Sequence, residues 1–316
     1  MGIHQKNHFR RGDRSNITPS KCRTHFRAYV ICLISLFTAT ATTACAKAPY
    51  DKDKMETLLR AKHPPTFHEY TVGDRSIHYA ATGRPDTRPV VFIHGTPGSW
   101  QAFAEYMADD ALASKAHLKS VDRPGFGKSG HKQMVTSLKQ QAMFLQPLLH
   151  SVNGEGKAIL VGHSLGAPIA ARMAMDYPEL VGAMVLVAPS LDPDLEKPRW
   201  YNKLAANSLI NWAVPAELAL ANEEIMPLEQ ELRDMLPLWK TIEIPVVVIQ
   251  GQKDRLVSPG NADFAQRVLN SSSKVIRLPE AGHFVLWRQP QIIRREILNL
   301  LDATDLPPDK TLSDRF

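Results

Sequence analysis

The chain has 316 residues, of which 44% are hydrophobic and 22% charged, an ordinary composition for a soluble protein with one large core. The net charge of +6 comes from the first 44 residues, which hold seven lysines and arginines and one acid, so the remaining chain is neutral. This balance gives no support for a basic surface that would bind nucleic acid.

Residues 1–46 have the pattern of an export leader. A basic stretch precedes an uncharged run from Ala28 to Ala46, which is most apolar between Tyr29 and Phe37. That apolar part is about half of the roughly 20 residues that a membrane-spanning helix needs. We therefore predict a cleaved signal, with an uncleaved N-terminal anchor and a wrongly assigned start as the alternatives.

All three cysteines, Cys22, Cys32 and Cys45, fall in this leader, so a mature domain would have no disulfide. Residues 42–45 resemble the lipid-attachment box of bacterial lipoproteins, which predicts membrane attachment through a lipidated Cys45. Residues 44–46 also fit an ordinary cleavage site with small residues at both ends. Both outcomes predict a protein of the bacterial cell envelope, either a lipoprotein or a periplasmic or secreted protein.

After a polar linker over residues 47–65, two strands around Gly73-Asp74 predict a hairpin. Strand and helix patterns then alternate, which is typical of an α/β fold with a mostly parallel, doubly wound sheet. The predicted strands are Phe67–Val72, Ser76–Ala81, Pro89–His94, Leu118–Asp122, Ala158–Gly162, Ala183–Ala188, Ile244–Gln250 and Lys274–Leu278. The predicted helices are Trp100–Asp109, Ser137–Val152, Ala167–Tyr177, Ala262–Leu269 and Pro290–Leu301.

One motif places a serine between a buried strand and a helix. The apolar run Ala158–Val161 leads into Gly162-His163-Ser164-Leu165-Gly166, and a helix pattern with small residues follows. A sharp turn at this place would expose the serine hydroxyl, while the glycines would let strand and helix approach closely. The segment therefore predicts a nucleophilic serine.

This turn resembles the nucleophile elbow of the α/β-hydrolase family, and four further segments agree with the family in order. Val90–Ser99 resembles the third strand with the oxyanion loop, and Asp122–Ser129 resembles the loop after the fourth strand. Val246–Asp254 resembles the strand that carries the acid, and Gly282–Phe284 resembles the loop that carries the base. The resemblance covers residues 66–301 and implies an α/β-hydrolase fold. Arg288 stands where many relatives have a glutamate, outside the reacting groups.

An insertion interrupts the alternation between Ser190 and Thr241 and carries three of the five tryptophans. The resemblance implies that such an insertion forms a small helical cap over the active site. We therefore predict a cap over residues 191–241 between two core segments, 66–190 and 242–303, with a tail over residues 304–316. The alternative is a peripheral helical excursion with a local core.

A serine hydroxyl becomes a good nucleophile only when a base accepts its proton and a third group orients the base. Ser164, Asp254 and His283 occur in the order of nucleophile, acid and base found in this fold. They are the predicted catalytic residues. Asp192 and Asp194, which follow an earlier strand, remain the alternative acid.

Acyl transfer also needs hydrogen-bond donors for the oxyanion. The N–H of Leu165, directly after the nucleophile, is one predicted donor, and the resemblance implies Thr96 as the other. The same resemblance gives His94 a supporting role in the loop. Trp100 either lines the substrate pocket or packs in the core.

The sequence contains no complete cofactor-binding or metal-binding motif. Residues 125–130 fit a dinucleotide-binding glycine pattern, but no acidic partner follows about 20 residues later. The histidines form no metal-ligand motif, so no cofactor and no metal are predicted. The elbow serine excludes the branches of the family that use a nucleophilic aspartate.

Together these features predict a serine hydrolase that cleaves small-molecule carboxylic esters. Two alternatives use the same fold. One is a hydrolase of carbon–carbon bonds, or a cofactor-free perhydrolase, with the same three residues. The other is a binding module that has lost turnover.

Overall fold

Strands at the centre of the molecule consist almost entirely of apolar residues, as expected of strands covered on both faces. Every residue of Pro89–Ile93, Ala158–His163 and Val246–Gly251 is buried. A strand of this kind satisfies its polar backbone only by pairing with neighbours, so these segments form the middle of a sheet.

The structure is a computed structural model that describes residues 56, 58–130, 134–151, 156–207 and 214–304. The predicted leader with its Cys45, residues 47–55 and 57 of the predicted linker, and the tail beyond residue 304 lie outside the described residues.

The described residues form one sheet of eight strands, in the order β1-β2-β4-β3-β5-β6-β7-β8. The β1–β2 and β2–β4 pairs are antiparallel and all other pairs are parallel. The strands are Thr66–Val72 (β1), Arg75–Gly83 (β2), Pro89–Ile93 (β3), His117–Val121 (β4), Ala158–His163 (β5), Val181–Val187 (β6), Val246–Gly251 (β7) and Lys274–Leu278 (β8). The predicted doubly wound α/β fold is confirmed.

Helices follow most of the parallel strands. They are Ala104–Met107 (α1), Asp110–Lys115 (α2), Leu138–Leu145 (α3), Gly166–Asp176 (α4), Trp200–Ala205 (α5), Ala216–Met235 (α6), Asn261–Val268 (α7), Val285–Arg288 (α8) and Pro290–Thr304 (α9). The sequence prediction missed α2 and α8, which are short. None of the described helices has both the length and the hydropathy to cross a membrane.

Alternate residues of the central strands face two separate apolar layers, because successive side chains of a strand point to opposite faces. Val91, Leu160 and Met184 belong to the layer that contains α3 and α4. Phe92 and Ile159 belong to the layer that contains α1, α2 and α9. Burial of each such large apolar side chain contributes about 1.5–3 kcal/mol to folding.

The inserted region contains α5 and the 20-residue helix α6. In its later half, Leu228, Leu232 and Met235 pack into the same apolar layer as α3 and α4. Pro227 lies inside α6, directly before this apolar half. The later half of α6 is therefore built into the α/β core.

Candidate active site

Ser164 lies on the turn between β5 and α4 in a left-handed backbone conformation, with φ of 54°. A residue other than glycine is strained in this region, by about 1–3 kcal/mol. Its N–H donates to the Val187 carbonyl over 2.9 Å, and its own carbonyl accepts from the Ala167 N–H over 3.0 Å. Backbone pairing with β6 and the start of α4 thus holds the strained turn, which is the geometry of a nucleophile elbow.

The two glycines of the motif are required by close backbone contacts. A Cβ at Gly162 would lie 2.6 Å from the Gly166 carbonyl oxygen. A Cβ at Gly166 would lie 2.2 Å from the Ile93 carbonyl oxygen, at the end of β3. The helix that follows Ser164 therefore packs directly on the backbone that leads into the loop after β3.

Asp254 and His283 follow β7 and β8 at the carboxyl edge of the sheet, where Ser164 also lies. His283 Nδ1 is 2.8 Å from Asp254 Oδ2. Asp254 Oδ1 accepts the N–H groups of Leu256 and Val257, both over 2.9 Å. Because the fully buried carboxylate can only accept, it holds the proton on Nδ1 and leaves the Nε2 lone pair of His283 available as a base.

The alternative acids lie in other ion pairs. Asp192 is 3.5 Å from Arg267, and Asp194 is 2.8 Å from Arg233. Asp192 Oδ1 also accepts the Asp194 N–H over 3.0 Å. Of the acidic candidates, Asp254 is therefore the one that contacts His283.

His163 joins the elbow to the loop that carries His283. Its Nε2 lies 3.3 Å from the His283 carbonyl oxygen, and the two rings are 4.9 Å apart. Burial lowers the pKa of His163 to about 3, so it is neutral and donates from Nε2. The sequence analysis gave this residue no role, although its place directly before Ser164 was a usable signal.

The loop after β3 passes directly beside the nucleophile. A Cβ at Gly95 would lie 2.9 Å from Ser164 Cβ. Among the described residues, the N–H groups of Thr96 and Leu165 donate to no protein acceptor. Thr96 Oγ1 is also buried without a hydrogen-bond partner in that part of the chain. Donors in this position could serve a ligand oxygen at Ser164.

His94 forms hydrogen bonds to backbone groups through both of its ring nitrogens. Its Nδ1–H donates to the Gly95 carbonyl over 2.7 Å, and its Nε2 accepts the Arg123 N–H over 3.1 Å. Burial, with the nearby charge of Arg123, holds the pKa of His94 well below its usual value. Both ring nitrogens are therefore occupied in a neutral side chain, which leaves none for a second catalytic base.

Asp122 anchors the neighbouring loop. Its carboxylate accepts the N–H groups of Trp100 and Lys128, each over 2.9 Å, and contacts the ring of His78. Trp100 is 6% exposed, belongs to the apolar layer of Phe92 and packs edge-on against the exposed Phe67. The packing role considered for Trp100 is therefore the one that its contacts support.

Similarity to known proteins agrees with this geometry. The sequence profile described as the Alpha/beta hydrolase family matches residues 90–296. The chain is 25% identical over 248 residues to 2-(acetamidomethylene)succinate hydrolase of Mesorhizobium japonicum, covering 68% of this chain and 88% of that protein.

Two further comparisons extend over most of the fold. The chain is 24% identical over 278 residues to 2-hydroxy-6-oxononadienedioate/2-hydroxy-6-oxononatrienedioate hydrolase of a Pseudomonas species, covering 74% of this chain and 95% of that protein. The solved structure of epoxide hydrolase CorEH matches with a TM-score of 0.61 and 18% identity, over 76% of this chain and 99% of that chain. Since the profile spans the strand before the oxyanion loop, the elbow, and the loops of Asp254 and His283, the chain belongs to the alpha/beta hydrolase family.

Proposed function

We propose that this hydrolase cleaves carboxylic esters through a covalent acyl-enzyme, with Ser164 as the nucleophile. The observation that carries the proposal is the strained Ser164 turn at the same sheet edge as the hydrogen-bonded Asp254–His283 pair. A nucleophile, a base and a group that orients the base are the three parts that activation of a serine requires.

In the first half of the reaction, Ser164 Oγ attacks the ester carbonyl carbon while His283 Nε2 takes its proton. The carbonyl electron pair moves to the oxygen, which the N–H groups of Leu165 and Thr96 stabilise by about 3–4 kcal/mol each. The tetrahedral intermediate then collapses. The alcohol leaves with the proton from His283, and the acyl group stays on Ser164.

In the second half, a water molecule replaces the alcohol. His283 takes one proton from the water as its oxygen attacks the acyl carbon, and the same two N–H groups hold the new oxyanion. Collapse releases the carboxylic acid and returns the proton to Ser164. Asp254 stays ionised throughout and stabilises the imidazolium that forms in each half.

Cleavage of carbon–carbon bonds is the alternative reaction on the same groups. It has one supporting observation, which is the similarity to the Pseudomonas oxononadienedioate hydrolase over 74% of this chain. Both reactions would use Ser164 and His283. They differ in the leaving group, which is an alcohol for an ester and a carbanion for a diketone.

Two experiments on the purified protein test the proposal. A fluorophosphonate probe should label the wild type and not Ser164→Ala, and a folded wild type without labelling would contradict a serine nucleophile. A panel of p-nitrophenyl esters, thioesters, amides and vinylogous diketones should give the highest kcat/KM for an ester. Turnover of diketones alone would support the carbon–carbon alternative.

We also propose an envelope location, on the pattern of residues 1–46 and the absence of cysteine after Cys45. Intact-mass measurement of the protein from its native host tests this directly. A diacylated Cys45 at the N-terminus indicates a lipoprotein, and Lys47 as the first residue indicates a soluble exported enzyme. Retention of residues 1–44 would contradict a cleaved leader.

A further inference from the structure

Arg123, the second residue after β4, has a completely buried side chain with four hydrogen bonds. Its Nη1 donates to Glu224 Oε1 over 2.5 Å and to Gln141 Oε1 over 2.8 Å. Its Nη2 donates to Glu224 Oε2 over 3.0 Å and to the Gly95 carbonyl over 2.9 Å. A rigid guanidinium fork thus joins a helix of the inserted region to the loop beside Ser164.

The Gly95 carbonyl matters because it shares one peptide unit with the Thr96 N–H. In a planar trans peptide the C=O and N–H bonds point in opposite directions, so a partner that holds the oxygen also aims the N–H. Arg123 and His94 hold this oxygen over 2.9 and 2.7 Å. The Thr96 N–H is therefore kept pointing away from Arg123, beside the glycine that lies against Ser164.

Glu224 fixes the guanidinium in turn. It is 2% exposed, lies on α6, and binds Arg123 through both carboxylate oxygens. Gln141 on α3 completes the arrangement by donating to Glu224 Oε1 over 2.8 Å. A buried charge that loses its partner is strongly disfavoured, so removal of the Glu224 charge would displace the Arg123 side chain from its place.

We propose that Arg123 and Glu224 are positioning residues that hold the Gly95–Thr96 peptide in the orientation required for the oxyanion. The inserted helix then contributes to catalysis, because Glu224 completes the support of the Thr96 N–H. This rests on the proposed function, in which Thr96 is an oxyanion donor. Both side chains are buried, so we assign them no contact with the substrate.

The test compares Glu224→Gln with Glu223→Gln, a matched change of charge at the exposed neighbour on the same helix. Loss of one oxyanion donor lowers kcat by about 10²–10³, and since Arg123 remains in Glu224→Gln, we expect a fall in kcat of about ten- to a hundredfold. KM should stay within about twofold, because the Thr96 N–H acts mainly in the transition state. Glu223→Gln should match the wild type in both constants.

A second measurement distinguishes a misplaced oxyanion donor from an unspecific loss of activity. Sulfur accepts hydrogen bonds more weakly than oxygen, so the wild type should prefer an ester over the matching thionoester. Glu224→Gln should reduce this preference because one of its donors is misplaced. A loss of kcat with an unchanged preference, or an unchanged kcat, would overturn the proposal.

Arg123→Lys provides the second variant, which matters if Glu224→Gln does not fold. A single ammonium cannot reproduce the fork that reaches both Glu224 and Gly95, so the same loss of kcat and of preference is expected. Thermal unfolding checks that each variant is folded. Because Ser164 is intact in these variants, fluorophosphonate labelling reports separately on the proposed nucleophile.

Discussion

Replacement of Asp254 by asparagine changes one carboxylate oxygen into an NH2 group and keeps the shape of the side chain. The surroundings decide which oxygen is lost. Oδ1 accepts two backbone N–H groups over 2.9 Å, so an NH2 in that place would face two donors. The amide oxygen must therefore occupy the Oδ1 position, and the NH2 must face His283 Nδ1, 2.8 Å away.

This orientation reverses the hydrogen bond to the base. His283 must now accept at Nδ1, so its proton moves to Nε2, where it blocks transfer of the proton from Ser164. A base held in the wrong tautomer lowers kcat by about 10⁴, which corresponds to about 5.4 kcal/mol in the barrier. The folded structure should be little changed, because every backbone donor keeps its acceptor.

The assay is steady-state hydrolysis of p-nitrophenyl acetate at neutral pH, with Asp192→Asn as the control. Asp192 is partly buried and pairs with Arg267, so its loss should leave kcat close to the wild-type value. Thermal unfolding of both variants confirms that they are folded. A kcat for Asp254→Asn within tenfold of the wild type would refute the tautomer argument, and a severe loss in Asp192→Asn would move the acid to that residue.

Three further predictions concern the nucleophile, acid stability and the insertion. Ser164→Ala should abolish ester turnover without lowering the melting temperature, and turnover within tenfold of the wild type would exclude Ser164. Between pH 6.5 and 4 the free energy of unfolding should fall as the pH falls. Burial lowers the pKa of His163 to about 3 and of His117 to about 4. Over this window both histidines therefore bind a proton in the unfolded chain and not in the folded one. Urea titrations that give the same free energy of unfolding at pH 6.5 and 4.5 would contradict this. Replacement of residues 199–218 by a short linker should change acyl-chain preference in an ester series, whereas replacement of 191–241 should abolish folding, because it removes core side chains of α6.

The sheet could be predicted from the sequence because its central strands are short apolar runs bounded by turn residues. The prediction Pro89–His94 became β3 over Pro89–Ile93, and Lys274–Leu278 became β8 with the same bounds. The small helix Asp110–Lys115 was missed because its six residues are too few to show helical periodicity.

The candidate site was predictable where chemistry is encoded locally. The Ser164 turn is specified by its two glycines, Asp254 follows the apolar strand β7, and His283 follows β8. The Arg123–Glu224 pair could not be predicted, because the two residues are 101 positions apart and meet only after the insertion folds over the loop. Neither the charge of Glu224 nor its place in a polar stretch of α6 distinguishes it from the exposed Glu223.

The proline inside α6 has a consequence for exchanging parts of this protein with its relatives. Pro227 has no N–H, so α6 lacks the backbone hydrogen bond that residue 227 would otherwise donate to the Glu223 carbonyl, just before the apolar half that begins at Leu228. A chimaera joined at Pro227 would keep Leu228 and the residues after it with the host core, and take the earlier part of the insertion from the donor. Such a graft must still bring a carboxylate to the place of Glu224, or the host arginine is left buried without its counter-charge.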